Sequence, residues 1–435
     1  MPELAAQGLE RPTSASRFGF NCLAGVAGLA YLAWRQTVSP STPYDNGLTA
    51  GLLIAVLIGL HEHFVLRTHR NPSSGLDWDR PAQPLLGRVL VKLLGLGLTL
   101  GLIGGAYALF PEYHGSFYQP FWRALRVYGI PLLIAAPFYF WWLDGRLREP
   151  EDGYWHFGRL PWLWLRGRAP SAESRRLIVN HLAGWAVKGF FVPLMTVYVG
   201  QEVRGAHNAW LALPQGGYSL FEFLFHLTFT IDLLFCVIGY AMTLRLFDAH
   251  IRWAEPTALG WMVALMCYQP FFSLVENQYL RYEDGLVWGQ WLAGLPGAKF
   301  VWATVLMSLL AIYALSTVAF GLRFSNLTAR GIITDGPYRY SKHPAYLSKN
   351  LSWWLISIPF VAASPAVALS NCLHLLLING VYFLRARTEE AHLSRDPTYV
   401  RYALWINQHG LLAWLGRRLP ALRYRAPAGY SGGGA

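Results

Sequence analysis

Two short stretches near the end of the chain concentrate the residues able to do chemistry. The first runs from Asn326 to Trp354 and reads NLTARGIITDGPYRYSKHPAYLSKNLSWW. It holds a turn signal (Asp335, Gly336, Pro337), the cations Arg330, Arg339, Lys342 and Lys349, three tyrosines (Tyr338, Tyr340, Tyr346), and His343 directly before Pro344. Proline suits the first turn of a helix, where its missing N–H costs nothing. His343 is therefore predicted to cap a helix entrance, a place that favours an anionic or electron-rich group. The second stretch, Tyr382 to Trp405, reads YFLRARTEEAHLSRDPTYVRYALW. On a helix, Arg385, Glu389 and His392 share one face, with Glu390 offset by about 100°. A helical hairpin between the two stretches would return Glu389 and Glu390 to His343 and Tyr346. Carboxylates there could pair with an ammonium or accept from hydroxyls, and the rings could face a cation. A plainer reading makes these charges mere interface anchors. The density of His, Tyr, Arg and paired Glu favours a pocket instead.

The elements that must position these residues are membrane helices. Hydrophobic residues make up 54% of the 435 and charged residues 14%, well under the usual charged share of about 25%. Ten apolar runs follow one another: Phe18–Trp34, Gly47–Leu66, Leu85–Phe110, Ala124–Leu143, Leu177–Gly200, Leu220–Leu246, Thr257–Leu274, Phe300–Leu322, Pro344–Ala363 and Ala366–Leu384. A span needs about 20 apolar residues. The fold class expected is all-α, a polytopic transmembrane bundle of about ten spans ending in a helical hairpin with a cytoplasmic cofactor pocket.

Loop charge supports that count. The loops after runs two, four, six and eight are rich in arginine and lysine, and the loops between them are poor. By the positive-inside rule the rich loops and both termini face the cytoplasm. The expected location is thus an integral protein of a bacterial inner (cytoplasmic) membrane. The net charge of +12 belongs to these loops and to a basic tail (Arg417, Arg418, Arg423, Arg425), which points to topology and lipid contact, not to nucleic acid. The four cysteines form no CxxC pair, so neither a zinc site nor a disulfide framework is expected. Domain boundaries fall at 1–17 (polar N-terminal segment), 18–322 (eight helices of unassigned role), 323–410 (hairpin with the motifs) and 411–435 (basic tail, with Ser431 to Ala435 disordered).

Ionisable residues inside the apolar runs are costly and often functional. Glu222 and His226 share a helix face, and Lys188 and Asp232 are expected to pair and tie two helices together. His61, Glu62 and His63 lack a clear further ligand for a metal. Gly97, Gly101 and Gly105 form small-xxx-small steps expected to pack helices closely.

GPYRYxKHPxYL, followed past a hairpin by RxxxEExxL and then Tyr399–x–x–Tyr402, resembles the isoprenylcysteine carboxyl methyltransferase group, within a wider set of membrane methyltransferases that includes phospholipid N-methyltransferases. The resemblance covers about Thr334 to Trp405. It implies S-adenosylmethionine as methyl donor and a lipid or prenylated small molecule as acceptor. It further implies cofactor-binding roles for Gly336, Pro337, Tyr338, Arg339, His343, Pro344, Tyr346, Glu389 and Glu390, catalytic roles for Arg385 and Glu390, and no metal. Lys342 stands where the group usually has arginine, which removes bidentate geometry there. Two other readings compete. An NADPH-dependent membrane sterol or polyprenyl reductase shares a basic–His–Pro–x–Tyr element and the span count. There the pattern continues with Asn before the Tyr and Gly–Asp after it, whereas this chain has Ala345, Ser348 and Lys349. A transporter or scaffold would show inverted repeats, and none is visible.

Overall fold

The computed structural model describes residues 10–39, 42–79, 81–216, 218–428 and 430. Arg80, the first nine residues of the polar N-terminal segment and Ser431 to Ala435 lie outside the described residues. The chain is helical throughout. In order come α1 (Phe18–Val38), α2 (Pro43–Leu60), α3 (Leu86–Leu109), α4 (Gln119–Ala124), α5 (Ile130–Asp144), α6 (Gly153–Gly158), α7 (Leu160–Leu165), α8 (Ala172–Ala212) and α9 (Ser219–Ala241). Then follow α10 (Ala258–Leu265), α11 (Phe271–Gln278), α12 (Trp288–Trp291), α13 (Pro296–Phe320), α14 (Pro344–Ser357), α15 (Pro365–Leu393), α16 (Pro397–His409) and α17 (Ala413–Arg418). The only sheet among the described residues pairs β1 (Trp253–Ala254) with β2 (Thr328–Ala329), antiparallel.

Among the described residues, seven helical segments are long and apolar enough to cross a membrane: Pro43–Val65, Leu86–Leu109, Ser116–Asp144, Ala172–Ala212, Ser219–Ala241, Pro296–Arg323 and Pro365–Leu393. The chain is an integral membrane protein on this ground. Ten uniform spans are not what forms. The run Thr257–Leu274 breaks into α10 and α11, with Pro270 at the break. The run Pro344–Ala363 gives only the 14 residues of α14, about 21 Å of helix. It ends at Ile358 with φ +39°, ahead of Pro359 and before Pro365 restarts the helix. Composition counts apolar residues and misses such breaks. α1 has 21 residues and is not among these seven.

The loops predicted to share one side do meet at one end. Arg148 N donates to Gly75 O (3.0 Å), Asn71 Nδ2 to Asp248 Oδ2 (3.2 Å), and Arg252 N to Ala329 O (3.0 Å). Loops after the second, fourth, sixth and eighth runs are thereby linked in series. Two cations counted there as loop charges are buried clasps. Arg323 NH1 reaches Glu62 Oε1 at 2.5 Å. Arg330 is wholly buried and donates to the carbonyls of Gly239, Met242, Ala249, Leu322 and Phe324 at 2.5–3.0 Å. Four of these carbonyls sit at or just past the ends of α9 and α13, whose last carbonyls have no partner inside their helices. One guanidinium thus closes both helix ends.

The main core lies between α1, α2, α8 and α9, where Ile54, Phe191, Leu194, Leu234 and Phe235 are fully buried. The expected Lys188–Asp232 tie does not form. Lys188 donates to Thr243 Oγ1 (3.0 Å) and lies over Trp185, while Asp232 accepts from Thr317 (2.5 Å). His226 meets Glu202 of α8, not Glu222, at 2.7 Å. His61 stacks on Phe20, and His63 packs on His69. Among the described residues no group of three ligating side chains converges for a metal. Gly97, Gly101 and Gly105 face open space, so their spacing does not mark a packed seam. The close approach on α3 is two residues before Gly97. A Cβ on Gly95 would stand 2.0 Å from Tyr154 O of α6.

Candidate active site

Each flank of the terminal hairpin is set by local chemistry. Ser364 caps α15 by accepting from Val367 N, with Pro365 in its first turn. Pro344 opens α14 with His343 at the cap position. The His343 side chain does not cap, because it is drawn across to α15. Asp396 accepts from Thr398 N and starts α16. That helix folds beneath the motif loop, where Tyr402 Oη donates to Tyr338 O (2.7 Å) and Ser341 O (3.1 Å).

The two stretches come together across the hairpin. Tyr346 Oη donates to Glu389 Oε2 at 2.5 Å, and His343 Nε2 lies 3.2 Å from Glu390 Oε1. The neighbouring carboxylates have different surroundings. Glu390 is 5% exposed, and its oxygens are engaged by Lys342 (2.5 Å), His343 and Arg387 (2.9 Å). Lys342 makes a single-point contact, as its chemistry requires. Burial holds the Lys342 pKa below the ordinary lysine value, against the pull of Glu390. Glu389 has Tyr346 as its hydrogen-bond partner and lines a cavity.

That cavity measures about 850 Å³ including its open mouth. Its wall includes Tyr338, His343, Tyr346, Arg385 and Glu389, together with Asn326, Glu255 and His392. A second cavity of about 610 Å³ adjoins it, sharing Tyr338, His343, Tyr346, Arg385 and Glu389 and adding Tyr268, Tyr313, Lys349 and Tyr382. The hairpin arms leave room for it because α14 packs along α13 and α15 against α10. Arg385 stands between the two spaces. It donates to Asn326 Oδ1 (2.5 Å) and lies over the rings of Tyr346, Tyr268 and Tyr382 at 4.9–5.7 Å. The ring of His343 is parallel to Tyr346, centroids 5.4 Å apart. Burial pushes the Tyr338 hydroxyl well above its ordinary pKa, so it stays neutral.

Of the residues singled out in the sequence, Tyr338, His343, Tyr346, Arg385 and Glu389 line the cavities. Gly336, Pro337, Arg339, Pro344 and Glu390 stand behind the wall. Gly336 takes φ +61°, and a Cβ there would meet Phe18 at 2.8 Å. Arg339 is exposed. Glu390 is committed to Lys342, His343 and Arg387. Asn326, Tyr268, Tyr313, Glu255 and Lys349 were not marked as site residues by sequence reasoning. Lys349 follows Tyr346 by three residues on one helix and so shares its face, a signal that was available. Tyr268, Tyr313 and Glu255 come from distant elements, and no local pattern announces them.

The N-terminal segment completes the wall. Ala15 N donates to Ile332 O (2.9 Å), Thr334 N to Ser14 Oγ (3.2 Å), Thr334 Oγ1 to Pro12 O (2.7 Å) and Arg11 to Thr334 O (3.1 Å). Arg11 also pairs with Asp335 at 3.1 Å. Ile332 and Ile333, held in this way, face the larger cavity.

Fold and site define a polytopic membrane protein with a tyrosine-rich double cavity, into which a few charged side chains project, at one end. Residues 298–395 match the model of the isoprenylcysteine carboxyl methyltransferase (ICMT) family, so the C-terminal part carries the likeness read from its motifs. Together with the apolar helices this supports a membrane methyltransferase in general. No curated protein and no solved structure matches the chain.

Proposed function

We propose that the chain transfers a methyl group from S-adenosylmethionine to a lipid-like or isoprenoid-linked acceptor. The carrying observation is the division of labour in the acidic pair. Glu390 is spent on structure, while Glu389 presents a carboxylate to a cavity walled by Tyr338, Tyr346 and His343, all within the matched region. The donor set suits a nucleoside-bearing ligand. Glu389 can take an ammonium or ribose hydroxyls, and the Tyr346 and His343 rings can face a sulfonium.

S-adenosylmethionine supplies a methyl group already activated by its sulfonium. The protein's task is then mainly orientation. Glu390 fixes Lys342 and His343, which fixes the start of α14 and so the Tyr346 ring. Gly336, Pro337, Arg339 and Pro344 shape the turn that presents Tyr338 and His343. Arg385, at the junction, orients the acceptor head group, which enters the smaller cavity from the bilayer between the splayed arms. A carboxylate acceptor needs no base. An amine acceptor would need one, and His392, 3.4 Å from Glu255, lines only the larger cavity.

Calorimetric titration of the purified protein with S-adenosylmethionine tests this reading. Saturable binding that weakens in Glu389→Gln is the expected result. Absence of binding, or stabilisation by NADPH in its place, would overturn it.

A further inference from the structure

We infer that two arginine–tryptophan segments at the mouth end are seats for anionic lipid head groups. The first is α7 with the turn after it, Leu160 to Arg168. It follows directly on α6, whose end abuts α3: a Cβ on Gly158 would stand 2.0 Å from Val91 O, about 8 Å along α3 from Leu86. The segment therefore starts near the end at which α3 enters the membrane. Trp162, Trp164 and Leu165 nonetheless point outward, 55%, 67% and 81% exposed. The guanidinium of Arg166 lies 4.5 Å from the Trp162 ring centre.

The second segment is Leu411 to Arg423. Both its ends are tied to the site. Leu411 N donates to Tyr340 O (2.8 Å), and Tyr424 is held by Ser394 (2.7 Å) and Asn407 (2.9 Å) beneath the Lys342 ammonium. Between these ties Leu411, Trp414 and Leu419 are at least half exposed, interleaved with the exposed Arg417, Arg418 and Arg423.

No Asp or Glu occurs between Asp152 and Glu173, and none after Asp396. These arginines thus have no local carboxylate. Indole rings with leucines suit the head-group boundary, and guanidinium groups suit phosphate. The combination fits an anionic leaflet surface. This inference is independent of methyl transfer.

The test uses the full chain in nanodiscs of mixed phosphatidylcholine and phosphatidylglycerol, with native mass spectrometry reading the lipid retained. Phosphatidylglycerol should be enriched over its bulk share, and the enrichment should fall as salt rises. Arg166→Gln with Arg168→Gln should remove one part, and Arg417→Gln with Arg418→Gln and Arg423→Gln another. Each neutralised arginine should lower the preference by up to about fivefold. Arginine-to-lysine variants at the same positions should keep it. Bulk lipid ratios in the wild type, or unchanged enrichment in both glutamine sets, would overturn the inference. The two sets are separate, so misfolding of one leaves the other decisive.

Discussion

The mouth of the hairpin and the bundle of α1, α2, α8 and α9 are held together by different forces. In the bundle, Val187, Phe191, Leu234 and Ala50 belong to one apolar cluster, with Asn21, Asn46, Thr196, Thr230 and Asp232 buried on the same helices. At the mouth, buried charge and hydrogen bonds do the work: Glu390 gathers Lys342, His343 and Arg387, Arg330 closes two helix ends, and Tyr402 fastens the loop above it. Apolar packing tolerates exchange of similar shapes. A polar network does not, because each orphaned partner stays buried. A site that must hold one geometry is better served by the second construction.

Five substitutions would break or sharpen this contrast. The largest effect belongs to Arg330→Ala, which strands five carbonyls. Unfolding in detergent should show a loss of about 4 kcal/mol or more. Glu390→Gln should follow, at about 3 kcal/mol, because one buried acid serves several cations. Limited proteolysis should locate the damage at the loop 336–343. Glu389→Gln should leave thermal unfolding nearly unchanged and weaken S-adenosylmethionine binding by about tenfold or more, read by calorimetry. Equal unfolding losses in the two glutamate variants would erase the distinction drawn between them. At the α3–α6 seam, outside both regions, Gly95→Ala should cost about 1–3 kcal/mol by forcing α6 off α3. Gly101→Ala should stay within about 0.5 kcal/mol.

Much of this was readable from the residues, for identifiable reasons. The meeting of Glu389 and Glu390 with His343 and Tyr346 follows from helical spacing on either side of one hairpin, and the grouping of basic loops follows from charge alternation. Spacing also placed both glutamates in one pocket, yet only Glu389 faces it. Which of two adjacent carboxylates turns inward depends on Lys342 and Arg387, whose reach no linear pattern records. The glycine steps at 97, 101 and 105 failed for the same reason. A small residue permits close approach, but a neighbour must be there, and α6 sits beside Gly95. The breaks in α10–α11 and after α14 depend on backbone turns that an apolar average conceals.

The strap formed by Arg11 to Ala15 bears on how the protein is made. Its partners, Ile332 to Asp335, leave the ribosome more than three hundred residues later. Until then the strap has nothing to bind, and the wall it supports does not exist. The cavity is therefore a late product of biogenesis, finished when residues 11–15 meet residues 332–335 after the intervening helices have been inserted.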